Sequence, residues 1–155
     1  MSFRITGLPA DPFHLLYGRS DAELAALGAQ RLTVDVPHAF PCRVSLADAR
    51  PGETVLLLNH EHQPADTAFR SRHAIFVREE ETARFDAIDR VPEQLRRRTL
   101  SLRAFDAQHM MIDADLCEGA AAETLIERLL GDARTAYIHA HFARRGCYAA
   151  LIERA

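Results

Sequence analysis

Two pairs of histidines stand at a spacing that could bind a metal ion. His60 and His62 form one pair, and His139 and His141 form the other. Residues at i and i+2 of a β-strand point to the same face about 6.6 Å apart, so each pair can offer two imidazoles to one transition-metal ion. If the two pairs meet across adjacent strands, the four imidazoles together predict a divalent metal site.

The metal hypothesis competes with a simpler interpretation of these histidines. Glu61, Asp66 and His73 are near enough in sequence to supply further ligands, although Glu61 should point away from its neighbours. A lone His-x-His is nevertheless a common pattern, and histidines on a solvated strand face explain it equally well. A metal-dependent, hydrolase-like enzyme that uses the paired histidines is therefore an alternative function and not the favoured one.

The second histidine pair lies in a segment that predicts a β-hairpin. Two strands flank Ala143-Arg-Arg-Gly146, a short turn that contains glycine. Pairing Phe142 with Cys147 places His141 opposite Tyr148 and puts Tyr137, His139, His141 and Tyr148 on one face. The other face is apolar and comprises Ile138, Ala140, Phe142, Cys147, Ala149 and Leu151. The apolar face should pack on the core, and the histidines should face water or a pocket.

Cysteines beside arginines form a second set of candidates. Cys42 precedes Arg43, and Cys147 follows Arg145 closely, and a nearby cation favours the reactive thiolate. A thiolate nucleophile also needs a base, and the hairpin register places Cys147 on the face opposite the histidines. Burial of both thiols as small apolar groups is the simpler interpretation.

Arginines that could recognise an anion form the third set. The guanidinium fork of Arg43, Arg78, Arg144 or Arg145 matches a carboxylate or phosphate. The favoured function is therefore binding of a small, anionic molecule in a pocket between the histidine face and the Cys42-Arg43 segment. The ligand-binding candidates are Cys42, Arg43, Arg78, His139, His141, Arg145 and Tyr148. Ion pairing with the 22 acidic residues is the alternative for the arginines, and Asp113 with Asp115 are expected to be outward-facing carboxylates.

Composition excludes several classes of function. All 19 basic residues are arginine, so a pyridoxal phosphate enzyme or a P-loop, each of which needs a lysine, is excluded. A net charge of -3 predicts no nucleic acid partner. No apolar run of roughly 18 residues and no signal peptide is present, which predicts no membrane association. Three cysteines without metal-finger spacing favour a reducing compartment, and hence a cytoplasmic protein.

The order of predicted elements indicates an α+β fold. Strands outnumber helices, and most connections are short, which predicts a mostly antiparallel sheet, either open or curled into a partial barrel. Residues from Ala122 to Leu130 have apolar groups at i, i+3, i+4, i+7 and i+8, which predicts one long amphipathic helix after short N-terminal helices. A second hairpin is expected, with Leu100, Leu102 and Ala104 facing Met110, Ile112, Ala114 and Leu116.

The length of 155 residues predicts a single domain, residues 1-155. Exposed sheet edges are usually paired or covered, which predicts a homodimer. A non-catalytic interaction module that assembles through such an edge is the third function considered.

Several short stretches resemble a small bacterial family catalogued as domain of unknown function 1203. They are Phe40-Pro-Cys-Arg43, Pro51-Gly-Glu53, His73-Ala-Ile-Phe-Val-Arg78, and Ala136-Tyr-Ile-His-Ala-His141 with Arg145-Gly-Cys-Tyr148. The resemblance covers essentially the whole chain. It implies a single-domain bacterial protein and brings no activity, cofactor or catalytic residue with it.

Overall fold

The computed structural model describes residues 1–155 and consists of two antiparallel β-sheets with short helices around them. The strands are β1 (Phe3–Thr6), β2 (Ala29–Thr33), β3 (Thr54–Gln63), β4 (Ser71–Arg78), β5 (Asp86–Ile88), β6 (Thr99–Phe105), β7 (Met111–Glu118), β8 (Tyr137–Phe142) and β9 (Tyr148–Arg154). The larger sheet has the order β5-β1-β9-β8-β6-β7, and the smaller has the order β2-β3-β4. The predicted α+β fold with mostly antiparallel strands is confirmed.

The larger sheet is open, since β5 and β7 form its two edges, so it is not a partial barrel. The helices are α1 (Asp21–Ala26), α2 (Glu93–Arg96) and α3 (Ala122–Gly131), with 3-10 turns at Asp11–Leu16 and Gly119–Ala121. The predicted long helix is wrong in its length, because α3 has only ten residues. Its apolar spacing is nevertheless as predicted. No helix here has both the length and the apolar character that crossing a membrane requires.

The main core lies between α3 and one face of the larger sheet. One apolar cluster joins the buried side of α3 to residues of β1, β6, β8 and β9, and α3 contributes Leu125, Ile126, Leu129 and Leu130 to it. Ile138 and Ala140 contribute from β8, and Leu100, Leu102 and Ala104 contribute from β6. Each of these strands therefore presents alternate residues to α3 and leaves the intervening ones on the opposite face.

The β8–β9 hairpin has the predicted register only near its turn. His141 pairs with Tyr148 as expected, but Ala140 pairs with Ala150 and His139 pairs with Leu151. The pairing shifts because β9 contains one extra residue, a β-bulge, beside the turn. The expectation that Leu151 joins the apolar face is therefore wrong, and Ile152 occupies that position opposite Ile138.

The β6–β7 hairpin also departs from its predicted register. Leu102 pairs with Asp115 and Ala104 with Asp113, so these carboxylates and not Ala114 lie on the α3 side. Leu116, expected to face inward, is 63% exposed. The irregularity lies between Ala104 and Phe105, next to a turn that contains His109 at a positive φ. A one-residue shift in such a turn exchanges the two faces of a strand.

The smaller sheet brings a second set of histidines to the larger one. Leu56 of β3 belongs to a small apolar cluster with Phe13 and Leu24 from the N-terminal helices, and Leu58 packs against this cluster. His60 and His62 follow at alternate positions on β3, and both rings contact the ring of Tyr148 in the larger sheet. The end of β3 thus lies over the face of β8 and β9 that α3 does not cover.

Candidate metal centre

Three histidines from the two sheets converge on one point. His62 comes from β3, and His139 and His141 come from β8. One ring nitrogen of each lies within 4.8 Å of the corresponding nitrogens of the other two. The predicted meeting of the histidine pairs therefore occurs between sheets and not across adjacent strands of one sheet. It involves three of the four expected imidazoles.

His60 is the predicted ligand that stays outside this group. Its ring lies 6.2 Å from that of Phe13 and 6.5 Å from that of Tyr148, measured between centroids. It pairs with His73 across β3 and β4, and neither residue belongs to the converging set. Glu61 forms ion pairs with Arg70 and Arg72.

The orientation of His141 is fixed by a backbone contact in its own hairpin. Its Nδ1 lies 2.9 Å from the carbonyl oxygen of Gly146, so Nδ1 carries the proton and donates it. Nε2 is then left as the nitrogen with a free lone pair. A histidine that binds a metal through one nitrogen usually donates the other N–H to a carbonyl or carboxylate. Gly146 has a φ of +78°, a conformation that glycine adopts without strain.

The other two histidines have ring nitrogens without partners. Nδ1 of His62 and Nδ1 of His139 are both buried and make no hydrogen bond to the protein. Leaving a buried polar atom unsatisfied costs about 1–3 kcal/mol. Both atoms belong to residues of one histidine cluster, so this is a point where a bound ligand would supply the missing interactions.

Burial keeps the three imidazoles neutral. The pKa of His139 and of His141 is lowered to about 3 and that of His62 to about 4, mainly by the loss of solvent, and nearby positive charges act in the same direction. Only the neutral ring has a lone pair for a metal. At pH 7 a cation would therefore bind without displacing a proton from these rings.

Aromatic rings form the walls around the imidazoles. Tyr148 is stacked on His62 at 5.4 Å between centroids, with the planes 7° apart, and meets His139 and His141 edge-on. Phe105 lies 5.1 Å from His139 on the β6 side. These rings pack around the imidazoles and restrict their movement, which is what a preorganised ligand set requires.

A cleft leads to the cluster from the surface. It has a volume of about 350 Å³ and is lined by His62, Gln63, Pro64, Ala65, His109, Tyr137 and His139. Three of the lining residues are linked to one another: Gln63 Nε2 donates to the Tyr137 hydroxyl at 2.8 Å, and His109 Nδ1 lies 2.8 Å from the same oxygen. His141 is not part of the lining, so the cleft reaches the cluster from the side of His62 and His139. A larger cleft of about 630 Å³, between α1 and the smaller sheet, contains no histidine or cysteine.

The ligand set suits a first-row transition metal with one position open. Zn²⁺ bonds to histidine nitrogen at about 2.0–2.1 Å, which places tetrahedral ligand atoms about 3.4 Å apart. The nitrogens here are separated by at most 4.8 Å, so small ring rotations would bring them around one ion. Catalytic zinc sites use three protein ligands and keep the fourth position for water or substrate.

Arg43 and Cys42, two of the predicted ligand-binding residues, are buried elsewhere. The Arg43 side chain is 1% exposed. Its guanidinium donates to the carbonyl oxygens of Tyr148 at 2.6 Å and of Pro41, and to Cys147 Sγ at 3.1 Å. All these contacts are internal. We therefore infer that Arg43 ties the Pro41–Arg43 segment to the β8–β9 hairpin.

The remaining candidates from the sequence are ion-paired, exposed or buried, and the buried Tyr148 packs against the imidazoles as described above. Arg78 forms ion pairs with Glu53 at 3.1 Å and with Glu81 at 2.7 Å. Arg144 and Arg145 are exposed in the β8–β9 turn. Asp113 and Asp115, which were expected to face outward, lie on the α3 side of β7, where both form ion pairs with Arg128. Burial raises the pKa of Cys42 to about 12, which disfavours a thiolate. These findings support the simpler interpretations of the charged and thiol groups.

Sequence reasoning missed three residues around the cluster. Gln63 and His109 line the cleft, and Arg103 pairs with His139 across β6 and β8. Arg103 carried a usable signal, because it is a charged residue in the middle of a strand whose alternate positions are apolar. Gln63 and His109 carried none, since a bulge and an irregular turn position them.

Comparison with known proteins identifies a family but no individual protein that is similar to the chain. No curated protein and no solved structure matches the chain. Residues 39–154 match the model of the family described as protein of unknown function (DUF1203), and all three converging histidines lie in this range. The match covers well over half of the chain, which confirms the resemblance, and the protein therefore belongs to the DUF1203 family.

Proposed function

We propose that this protein is a metal-dependent enzyme that binds one divalent transition-metal ion through His62, His139 and His141. The observation that carries the proposal is the convergence of three neutral imidazoles, of which one is oriented by a carbonyl and two have no other partner. The cleft beside His62 and His139 favours a catalytic centre over a purely structural one, because a substrate could reach the ion.

Zinc is the first candidate for the ion, and hydrolysis is the chemistry it would supply. Three imidazoles in a tetrahedral site suit Zn²⁺, which lowers the pKa of its bound water to about 7. The cluster contains no carboxylate, so the metal-bound water itself would be the nucleophile. This proposal reverses the ranking that the sequence suggested, in which binding of a small molecule beside Cys42 and Arg43 stood first.

Metal content of the protein purified without an affinity tag tests the proposal. We expect one Zn²⁺ per chain, and we expect His62→Ala to retain less than a tenth of it. His14→Ala is the matched control, since His14 is exposed and outside the cluster. Metal loss in both variants, or metal-free wild-type protein that takes up no Zn²⁺, would refute the site.

Stability and activity give two further readouts of the same site. Zn²⁺ at 100 times its Kd should add about 2.7 kcal/mol to the free energy of unfolding of the wild type and nothing to His62→Ala. Hydrolysis of 4-nitrophenyl acetate should disappear after chelation and return with Zn²⁺. Tight Zn²⁺ binding without metal-dependent hydrolysis of this or any other activated ester would leave a metal site and refute the hydrolytic chemistry.

The cytoplasmic location and the homodimer expected from the sequence are retained as part of the proposal. All three cysteines are free, in keeping with the reducing, cytoplasmic location proposed from the sequence. The two edge strands β5 and β7 keep homodimer formation as a prediction, which light scattering would test.

A further inference from the structure

Arg103 is a half-buried cation without an acidic partner. Its one side-chain hydrogen bond runs from Nε to Ser101 Oγ, at 3.3 Å. Burial lowers the pKa of Arg103, and no neighbouring carboxylate acts against this effect. Most other partly buried arginines here have clear partners, as Arg31 has in Glu79 and Arg98 has in Asp48.

The position of Arg103 places its charge beside the candidate metal centre. Arg103 pairs with His139, and Ser101 pairs with His141, across β6 and β8. Directly paired residues project to the same side of a sheet. The positive charge of Arg103 also contributes to the lowered pKa of all three cluster histidines, which is a further sign that it is close to them.

An apolar residue would be the simpler choice at this position. A cation that loses solvent without gaining a counter-ion costs free energy. Arg43 shows how the same fold stabilises a buried guanidinium for structural purposes, by aiming its donors at carbonyl oxygens and a sulfur atom. Arg103 has no such set of acceptors, and both of its terminal nitrogens lack a protein partner.

The charges around the candidate metal centre indicate that the partner Arg103 lacks is an anion. Three neutral imidazoles and a divalent ion carry two positive charges, and Arg103 adds a third. No carboxylate belongs to the cluster. A planar guanidinium binds a carboxylate through two parallel hydrogen bonds, and such charge-assisted pairs are about twice as strong as neutral ones. The cleft of about 350 Å³ is at the small end of the range for small-molecule sites.

We propose that Arg103 is a specificity-determining residue that binds the carboxylate of a small carboxylic-acid substrate while a second polar group of that substrate reaches the metal ion. This inference rests on the proposed metal site. It assigns the anion recognition expected from the sequence to Arg103, in place of Arg43, Arg78 or Arg145.

Titration of the Co²⁺-loaded protein with glycolate tests this assignment. Glycolate has a carboxylate for Arg103 and a hydroxyl for the metal, and binding at the metal would change the visible absorption of Co²⁺. We expect saturable binding of glycolate and at least tenfold weaker binding of glycolamide, which has the same shape without the charge. Arg103→Gln should weaken glycolate binding at least tenfold without weakening the binding of Co²⁺, and Arg103→Lys should recover part of the loss of glycolate affinity.

Arg128→Gln is the matched control, because it removes an exposed arginine of α3 that binds Asp113 and Asp115. It should bind glycolate as the wild type does. Equal glycolate affinity in Arg103→Gln and wild type, or equal binding of glycolamide and glycolate, would overturn the role of Arg103 while the metal site stands. Failure of the wild type to bind Co²⁺ would overturn both proposals together.

Discussion

The two faces of the larger sheet are both buried, but they are buried in different ways. On one face, Ile138 and Ala140 of β8 pack against α3 within an apolar cluster of 20 residues. On the other face, His139 and His141 of the same strand are 6% and 1% exposed and lie under the smaller sheet. Adjacent residues of one strand thus lie in two different environments. One is an apolar core, and the other is a polar interior in which some buried nitrogens have no hydrogen-bond partner.

The apolar face stabilises the fold, whereas the histidine face is the one that we relate to function. Burial of the apolar face is favourable without any specific partner, because it removes hydrocarbon from water. Burial of the histidine face is unfavourable until Nδ1 of His62 and Nδ1 of His139 find a partner. A fold that keeps such a face is consistent with the proposed metal site, since sites that bind ligands commonly reduce the stability of the protein.

The largest expected effect is an acid sensitivity that belongs to the histidine face. In the metal-free protein, the pKa of His139 and of His141 is about 3, whereas an unfolded histidine has a pKa of about 6.5. Below pH 6.5 the unfolded chain therefore binds protons that the folded state excludes, and stability falls as the pH falls. As the pH falls from 6.5 to 5, each of these histidines should lower the free energy of unfolding by up to about 2 kcal/mol.

Urea unfolding at several pH values, with a chelator present, measures this effect. The range from pH 6.5 to 5 lies above the titration of most carboxylates, so the slope reports on histidine. His139→Leu should reduce the slope by up to one proton. An identical slope in the variant would mean that this imidazole is solvated in the folded protein.

The second prediction tests the apolar face. Leu129 of α3 is 1% exposed and belongs to the large cluster, so Leu129→Ala should lower the free energy of unfolding by about 3 kcal/mol. Leu116→Ala is the matched control, because Leu116 is 63% exposed on β7 and should change stability by less than about 0.5 kcal/mol. Equal losses in the two variants would show that α3 does not cover the core.

The third prediction concerns the replacement of a buried histidine by an apolar residue. His139→Leu removes an unsatisfied buried nitrogen, so the metal-free variant at pH 7.5 should be as stable as the wild type or about 1 kcal/mol more stable. With Zn²⁺ the order should reverse, because only the wild type gains from binding. Thermal melts of both proteins with chelator and with Zn²⁺ measure this. A loss of more than about 2 kcal/mol without metal would show that the imidazole is itself a core-packing group.

The smallest effect is expected outside both faces. Arg128 binds Asp113 and Asp115 at 3.0 and 3.1 Å, but the three side chains are 45–59% exposed. Exposed ion pairs contribute little, so Arg128→Gln should change the free energy of unfolding by less than about 0.5 kcal/mol. A change above 1 kcal/mol in urea unfolding would indicate that these charges help to dock α3 on β7.

The sequence by itself determined which residues share a face. The spacing in Ala122 to Leu130 predicted the buried side of α3, and alternation along β8 predicted that His139 and His141 lie together, away from Ile138 and Ala140. The family was also recognisable from short stretches of sequence. These properties depend on local periodicity, which the backbone geometry of a single helix or strand imposes.

Only the tertiary structure decided what each face meets. His62 and not His60 completes the cluster, because a separate sheet packs over β8 and positions the end of β3. Bulges in two hairpins, which leave no reliable pattern, moved Leu151 and Leu116 to faces opposite to those predicted. The tertiary structure also distinguishes two arginines: each of the three side-chain nitrogens of Arg43 donates to an internal acceptor, whereas the terminal nitrogens of Arg103 have no protein partner. Sequence periodicity describes one element at a time, whereas convergence of side chains depends on how elements pack and on single-residue shifts in register.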